Sequence, residues 1–339
     1  MATVYPVGWR IKELRCQREM TQMRLAEKLR CSVRWIELLE AGVPADKLYV
    51  QDIAQLFDVP VESLIRESPT GDGVLGQEWN VDRKVRKEKS RVAANGLRYE
   101  VFRLPSRHLA SRFARAKLYD TTSLTAESEE RITALLSRHP LICHRLRDVP
   151  FLAKHITTAA DERNGYWWVL DEWVDGEKLT NVLNQSPTHS RLRELGLQLL
   201  EALAKLHAHD VIRRELTPKS VIVPMGNANI VLTDFETGKL LEGVPTVSPK
   251  DRWRHAEYLA PEVVAGADVD FRSDWYSWGL IMIHGICGRL PRSHADQLKA
   301  LTPLSTPIQV LLTSCISPAP SDRPASAKKM IRELKKWKD

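Results

Sequence analysis

Four charged side chains stand where their chemistry could be used together. Lys117 lies in the run FARAKLY, Glu130 in the helical stretch that follows, Glu215 in VIRRELTPKSVIV and Asp234 in LTDFETG. A lysine ammonium is a compact cation for anionic oxygens, and a carboxylate can hold a divalent metal or orient a hydroxyl and take its proton. Phosphoryl transfer asks a protein for that combination: a cation on the phosphates, metal ligands, and a carboxylate beside the attacking hydroxyl. Taken singly, each of the four reads as an ordinary surface charge. Their weight comes from a fixed order along the chain, interleaved with RHPLI, YWWVLDEWVDG, YLAPE, RSDWYSWG and SDRP.

The elements that must position these residues form an α+β pattern. Residues 1–68 read as short helices with tight turns, an all-α bundle. Residues 69–91 hold Pro69, Gly71, Gly73 and Gly76, then a basic run from Arg83 to Arg91, and read as a linker with a charged lead-in. From Val92 short strand-like runs come first and helical periodicity later, which predicts a smaller lobe over 92–175 and a larger one over 176–339. Hydrophobic content of 43% leaves ample material for more than one core in 339 residues. The cysteines, Cys16, Cys31, Cys143, Cys287 and Cys315, are odd in number, scattered and without a C-x-x-C pair, which argues against a zinc ribbon or a disulfide framework and for reduced thiols in the cytoplasm. The first ten residues lack the apolar run of a signal peptide. The longest apolar stretch, Trp278 to Cys287, is broken by Gly279, His284 and Gly285 and falls short of the roughly 20 residues a bilayer requires, so no membrane partner is expected. A net charge of +7 is compatible with nucleic acid without demanding it.

In the first segment, Thr21 caps a short helix that buries Leu25, Ala26 and Leu29, and Ser32 caps the next, with Ile36 and Leu39 facing inward. The run TQMRLAEKLRCSVRWIELLEAG resembles the phage-repressor and Cro-type (Xre-like) helix-turn-helix family over Val7 to Ile65. The resemblance implies that the helix opened by Ser32 reads the major groove, with Val33, Arg34, Trp35, Glu37 and Leu38 toward bases and Gln22 toward the backbone. Arg34 is then a candidate guanine reader. Two features depart from that family. Arg30 occupies the turn position usually held by glycine, and Trp35, Glu37 and Leu38 suit a protein-docking face better than a phosphate-rich one.

The C-terminal motifs, in their order, are similar to the eukaryotic-like serine/threonine protein kinase family over Val92 to Trp337, a bilobal fold. The resemblance implies roles. Lys117 is the phosphate lysine with Glu130 as its ion-pair partner, Gly96 belongs to the phosphate-covering loop, and Glu172 to Val174 form the adenine hinge. Asp234 is the magnesium ligand, and ATP and Mg²⁺ are the implied cofactors. Glu262 and Arg323 form a structural ion pair, and Asp274 braces the catalytic loop. In an active member of the family a phosphate on Thr246 or Ser248 would pair with Arg214, while the plainer reading is a loop with ordinary hydroxyls.

The departures are concentrated in the chemistry. Glu215 replaces the aspartate base and is one methylene longer; a misplacement of about 1 Å can cost roughly 100-fold. Thr217 replaces a lysine, Ser220 replaces the asparagine that holds the second metal, Arg213 replaces a histidine, and Glu236 replaces the glycine after Asp234 and Phe235. Ala94 and Tyr99 fill two of the three glycine positions of the phosphate loop, and His255 replaces the threonine before YLAPE. Asp171 stands at a position that is normally apolar, where a carboxylate is costly unless partnered. These changes imply a pseudokinase, and with the helix-turn-helix resemblance they imply a DNA-binding transcription regulator of bacterial type. It would bind an operator as a dimer and use a degenerate, pseudokinase domain to sense a nucleotide or dock a protein partner. The alternative is an active serine/threonine kinase with atypical catalytic residues and a helix-turn-helix targeting module; a third reading is a scaffold with neither activity.

Overall fold

A computed structural model of the chain describes residues 3–40, 45–66, 74–92, 98–121, 136–161, 166–226, 229–240 and 256–337. It forms two compact units, Met1–Arg145 with Lys154–Trp173, and Leu146–Ala153 with Val174–Asp339.

The first unit opens with strand β1 (Thr3–Pro6) and helices α1 (Gly8–Gln17), α2 (Gln22–Lys28) and α3 (Val33–Glu40). The Thr21 hydroxyl accepts from the Arg24 N–H at 3.1 Å and the Ser32 hydroxyl from the Trp35 N–H at 3.3 Å, which satisfies first-turn donors and fixes where α2 and α3 begin. The turn between them holds Arg30 at φ 52°, left-handed backbone that a glycine adopts more cheaply. After β2 (Ala45–Asp46), helix α4 (Lys47–Phe57) ends on Asp58 at φ 51°, and β3 (Ile65–Arg66) pairs with β1. Ile11, Leu14, Leu25, Ile36, Leu39, Ile53 and Phe57 close one core. Inside it the Arg15 guanidinium meets the Glu40 carboxylate at 2.5 Å.

The segment read from composition as a linker is structured where it is described. Helix α5 (Val74–Glu78) buries Leu75, and Trp79 follows it into a second core shared with Tyr5 of β1. The basic run then forms most of β4 (Val85–Val92), the edge of a five-stranded antiparallel sheet ordered β4-β5-β6-β8-β7, with β5 (Arg98–Pro105), β6 (Phe113–Asp120), β7 (His155–Asp161) and β8 (Tyr166–Glu172). Glycine and proline content suggested a linker, but two large apolar side chains with a surface to cover outweigh it. Helix α6 (Arg138–Arg145) packs on β7.

In the second unit, β9 (Gly176–Lys178) pairs with β11 (Val221–Pro224), so closely at Gly176 that an added Cβ would lie 2.4 Å from the Val223 carbonyl oxygen. Helices α7 (Leu179–Asn184) and α8 (His189–Ala208) precede the short strands β10 (Val211–Ile212), β11, β12 (Val231–Leu232) and β13 (Lys239–Leu240). Helices α9 (Pro261–Val264), α10 (Arg272–Cys287), α11 (His294–Leu301), α12 (Thr306–Cys315) and α13 (Ala327–Leu334) complete it. The core runs along α8 and α10, where the Trp278 indole donates to the Gly196 carbonyl at 3.0 Å. Among the described residues no helix is long and apolar enough to cross a membrane.

Candidate active site

Lys117 sits on the central strand β6, opposite Val101 of β5 and Val169 of β8, and is 5% exposed. Its Nζ lies 4.4 Å from the centre of the Tyr99 ring and 5.2 Å from that of Tyr119. Two ring faces stabilise a desolvated ammonium through their quadrupoles. Tyr99, which stands where the resemblance places a glycine, therefore engages the Lys117 ammonium. Gly96, Ala94 and Glu130 lie outside the described residues, as do Thr246, Ser248 and His255. At the end of β8 the Glu172 N–H donates to the Lys154 carbonyl at 2.7 Å and the Trp173 N–H to the Phe113 carbonyl at 2.9 Å. Val174, half-buried, begins the second unit.

Asp171 is fully buried on β8, and the structure gives it partners that spacing alone did not suggest. Its Oδ1 lies 2.8 Å from His139 Nε2 and 3.0 Å from His155 Nδ1. Burial opposes the charged carboxylate, but the two imidazoles outweigh it and hold Asp171 well below the usual carboxylate range. Burial likewise opposes a charged His139, and the Asp171 carboxylate outweighs it, raising His139 well above its ordinary value.

In the second unit the loop that carries Glu215 is built around Asp274, in the first turn of α10. Its Oδ2 accepts the Arg213 N–H and its Oδ1 the Arg214 N–H, each at 2.9 Å, and His207 Nε2 lies 2.8 Å from Oδ2. These bonds hold Arg214 at φ 60°; Asp234 is held at φ 63°. For non-glycine residues that region carries a cost, which the surrounding bonds offset here. The Arg213 guanidinium lies 4.7 Å above the fully buried Phe235 ring and donates to the Thr233 carbonyl at 2.7 Å, filling the place expected for a histidine. Arg214 Nε donates to the Thr237 carbonyl at 2.7 Å.

The candidate metal and base positions follow. Asp234 Oδ2 accepts the Thr233 hydroxyl at 2.9 Å, and the Thr233 N–H donates to the Ser220 carbonyl at 2.9 Å, linking Asp234 and Ser220 through one residue. The Ser220 hydroxyl donates to the Thr217 carbonyl at 3.0 Å, which leaves its oxygen only as a neutral, weak ligand. Glu215 is half-buried beside them in sequence, while Thr217 and Glu236 are buried. Farther along, Arg323 grips Glu262 in a bidentate pair at 2.6 and 2.9 Å, and Ser273 donates to the same carboxylate at 2.7 Å.

The residues expected to face DNA are placed differently from one another. Ser32 and Val33 are exposed. Gln22 donates instead to Glu40 at 2.9 Å, Trp35 stacks on Tyr49 at 4.8 Å, and Leu38 is half-buried. Glu37 takes a 3.0 Å hydrogen bond from Arg145 of α6. Burial lowers the Arg34 pKa, opposed by Glu37 and reinforced by Arg145. The pull of internal partners on Gln22, Trp35 and Glu37 is the reason they do not all project to solvent.

Sequence reasoning overlooked His139, His155, Tyr119, His207 and Arg145. A signal was present for some of them: His139 and Cys143 are four apart on a helix, hence on one face, and Asp171 follows an apolar run in its strand.

Residues 112–338 match the family described as protein kinase domain. The chain is similar to serine/threonine-protein kinase pkn2 of Myxococcus xanthus, 36% identical over 133 residues that cover 35% of this chain and 15% of that protein. It is also similar to serine/threonine-protein kinase pkn3 of the same organism, 26% identical over 236 residues covering 62% and 43% of the two chains. A third relative is serine/threonine-protein kinase PknA of a Nostoc species, 26% identical over 190 residues covering 51% and 33%. The chain thus spans less than half the length of each of these relatives. With the match running from residue 112 to 338 of a chain of 339, and with the motif order and loop architecture described above, the chain belongs to the protein kinase family.

Proposed function

We propose that the chain is a serine/threonine protein kinase with an atypical catalytic loop, in which Glu215 fills the base position and the N-terminal helices act as a targeting module. The supporting observation is the Asp274 brace: both main-chain N–H groups ahead of Glu215 are held, and Arg214 and Asp234 keep left-handed backbone that costs energy to maintain. Kinases of this type among the relatives support the same reading. The donor set fits a magnesium nucleotide in part, because Asp234 offers a hard carboxylate oxygen and Ser220 only a hydroxyl. When bound, that nucleotide supplies the phosphoryl group to be transferred. The chain's own work is then to counter phosphate charge with Lys117, to hold the hinge strand, and to take the proton of a serine or threonine hydroxyl on the Glu215 carboxylate.

A second reading is a regulator that transfers no phosphate, senses a nucleotide or a partner, and binds operator DNA as a dimer through its N-terminal helices. Lys117 beneath Tyr99 and the Ser220 hydroxyl turned to Thr217 favour it. Radiolabelled ATP with a mixed serine/threonine peptide substrate separates the two. Transfer abolished by Glu215→Ala and by Asp234→Ala, and raised by Glu215→Asp, supports the kinase. No transfer by the unaltered chain defeats that reading. In that case a melting temperature raised by Mg-ATP and insensitive in Lys117→Ala identifies the sensor. Salt-dependent gel shifts lost in Arg34→Ala identify the DNA binder.

A further inference from the structure

We propose that His139, His155, Asp171 and Cys143 form a site for one divalent transition-metal ion, zinc by the character of its ligands, inside the first unit. The set comes from three elements: His139 and Cys143 from α6, His155 from the start of β7, and Asp171 from the end of β8. One ligand atom each from His139, His155 and Asp171 lies within 4.8 Å of the others. Cys143 Sγ lies 3.6 Å from His139 Nε2. Zinc bonds of about 2.0–2.1 Å to nitrogen and about 2.3 Å to sulfur, at a tetrahedral angle, put those two atoms about 3.6 Å apart. Asp171 Oδ1, now 2.8 and 3.0 Å from the imidazole nitrogens, would withdraw by about 0.5 Å to reach ligand spacing.

Two features are poorly served by hydrogen bonding alone. His139 Nε2 faces both the Asp171 carboxylate and the Cys143 sulfur, and one N–H or one lone pair cannot serve both well. Asp171 Oδ2 is buried without a hydrogen-bond partner, and the Arg115 guanidinium stands 3.9 Å off. An ion held by His139, His155 and Asp171, with Cys143 beside His139, answers the first of these. With two neutral imidazoles, the two positive charges of the metal are matched by Asp171 and a Cys143 thiolate, and the Arg115 guanidinium adds one positive charge 3.9 Å from Asp171. His155 Nε2 lies 3.1 Å from the Thr158 hydroxyl, the outer bond that fixes a ligating imidazole. Mixed nitrogen, sulfur and oxygen ligands suit zinc better than magnesium or calcium.

The test uses the full chain purified without added metal and titrated with Co²⁺. One equivalent is expected to bind with the visible bands of tetrahedral cobalt and a thiolate-to-cobalt charge-transfer band, and Zn²⁺ is expected to displace it. Cys143→Ser should lose the charge-transfer band. Asp171→Leu, which restores the apolar character expected at that position, should lose stoichiometric binding while keeping its circular dichroism; should it fail to fold, His155→Gln takes its place. The proposal is overturned if the unaltered chain takes up neither metal at one equivalent, or if binding survives both Asp171→Leu and His155→Gln.

Discussion

Asp274, itself fully buried, satisfies two buried main-chain N–H groups and the half-buried His207 with two carboxylate oxygens. An asparagine of the same shape offers one acceptor and turns an NH₂ toward a donor, so at least one buried N–H loses its partner, a loss of about 1–3 kcal/mol. Asp274→Asn is therefore expected to destabilise the chain by roughly 3 kcal/mol once the lost charge is included, read as a lower urea midpoint. Arg30 makes the opposite case. At φ 52° it carries the left-handed cost that a Cβ imposes, and it is exposed, so nothing is lost by shortening it. Arg30→Gly relieves about 1 kcal/mol and gives back part of that in unfolded-state entropy, for a net gain of roughly 0.5 kcal/mol. Arg30→Ala keeps the Cβ and should gain nothing; equal melting temperatures for the glycine and alanine variants would show that the turn is unstrained.

At the scale of elements, the contact of α3 with α6 is the arrangement that motif reading did not anticipate. Glu37 and Arg145 meet at 3.0 Å with side chains about one-fifth exposed, so their attraction is only partly screened. A double-mutant cycle on Glu37→Ala and Arg145→Ala is expected to return a coupling of about 1 kcal/mol. A coupling indistinguishable from zero would mean that the two helices meet without depending on that pair. The elements themselves were legible to different degrees. Helices α2 and α3 could be read because Thr21 and Ser32 stand at their starts and Leu25, Ala26, Ile36 and Leu39 recur at helical spacing. The motif order identified β6, β8 and the loop around Glu215. Within the stretch read as a linker, residues 74–91 differ from that expectation, because Gly76 and the lysines speak of solvent whereas the structure there depends on Leu75 and Trp79 meeting Tyr5, a partner about seventy residues away that no local window contains. The surroundings of Asp171 were hidden for the same reason, since His139 and His155 approach it only once α6 and β7 are folded.

For the whole molecule, pH tests how far charge pairing holds the larger unit together. Glu262 and Arg323 are 61 residues apart, and Arg323 also donates to the carbonyls of Arg272, Ser317 and Pro318, so one guanidinium gathers α9, the start of α10 and the loop before α13. Burial works against the Glu262 carboxylate, but the bonds from Arg323 and Ser273 outweigh it and lower its pKa below the ordinary 4.5. A carboxylate lowered on folding contributes stability that is fully present above its unfolded value and is lost as pH falls through its folded value. The pair should therefore support the fold at neutral pH and release it progressively below pH 4.5. Glu262→Gln removes the charge at every pH. Its melting temperature should lie below that of the unaltered chain at pH 7, and the two curves should converge as both are acidified. Parallel acid limbs, with the gap preserved well below pH 4.5, would mean that Glu262 acts through shape and hydrogen bonding and that its charge contributes little.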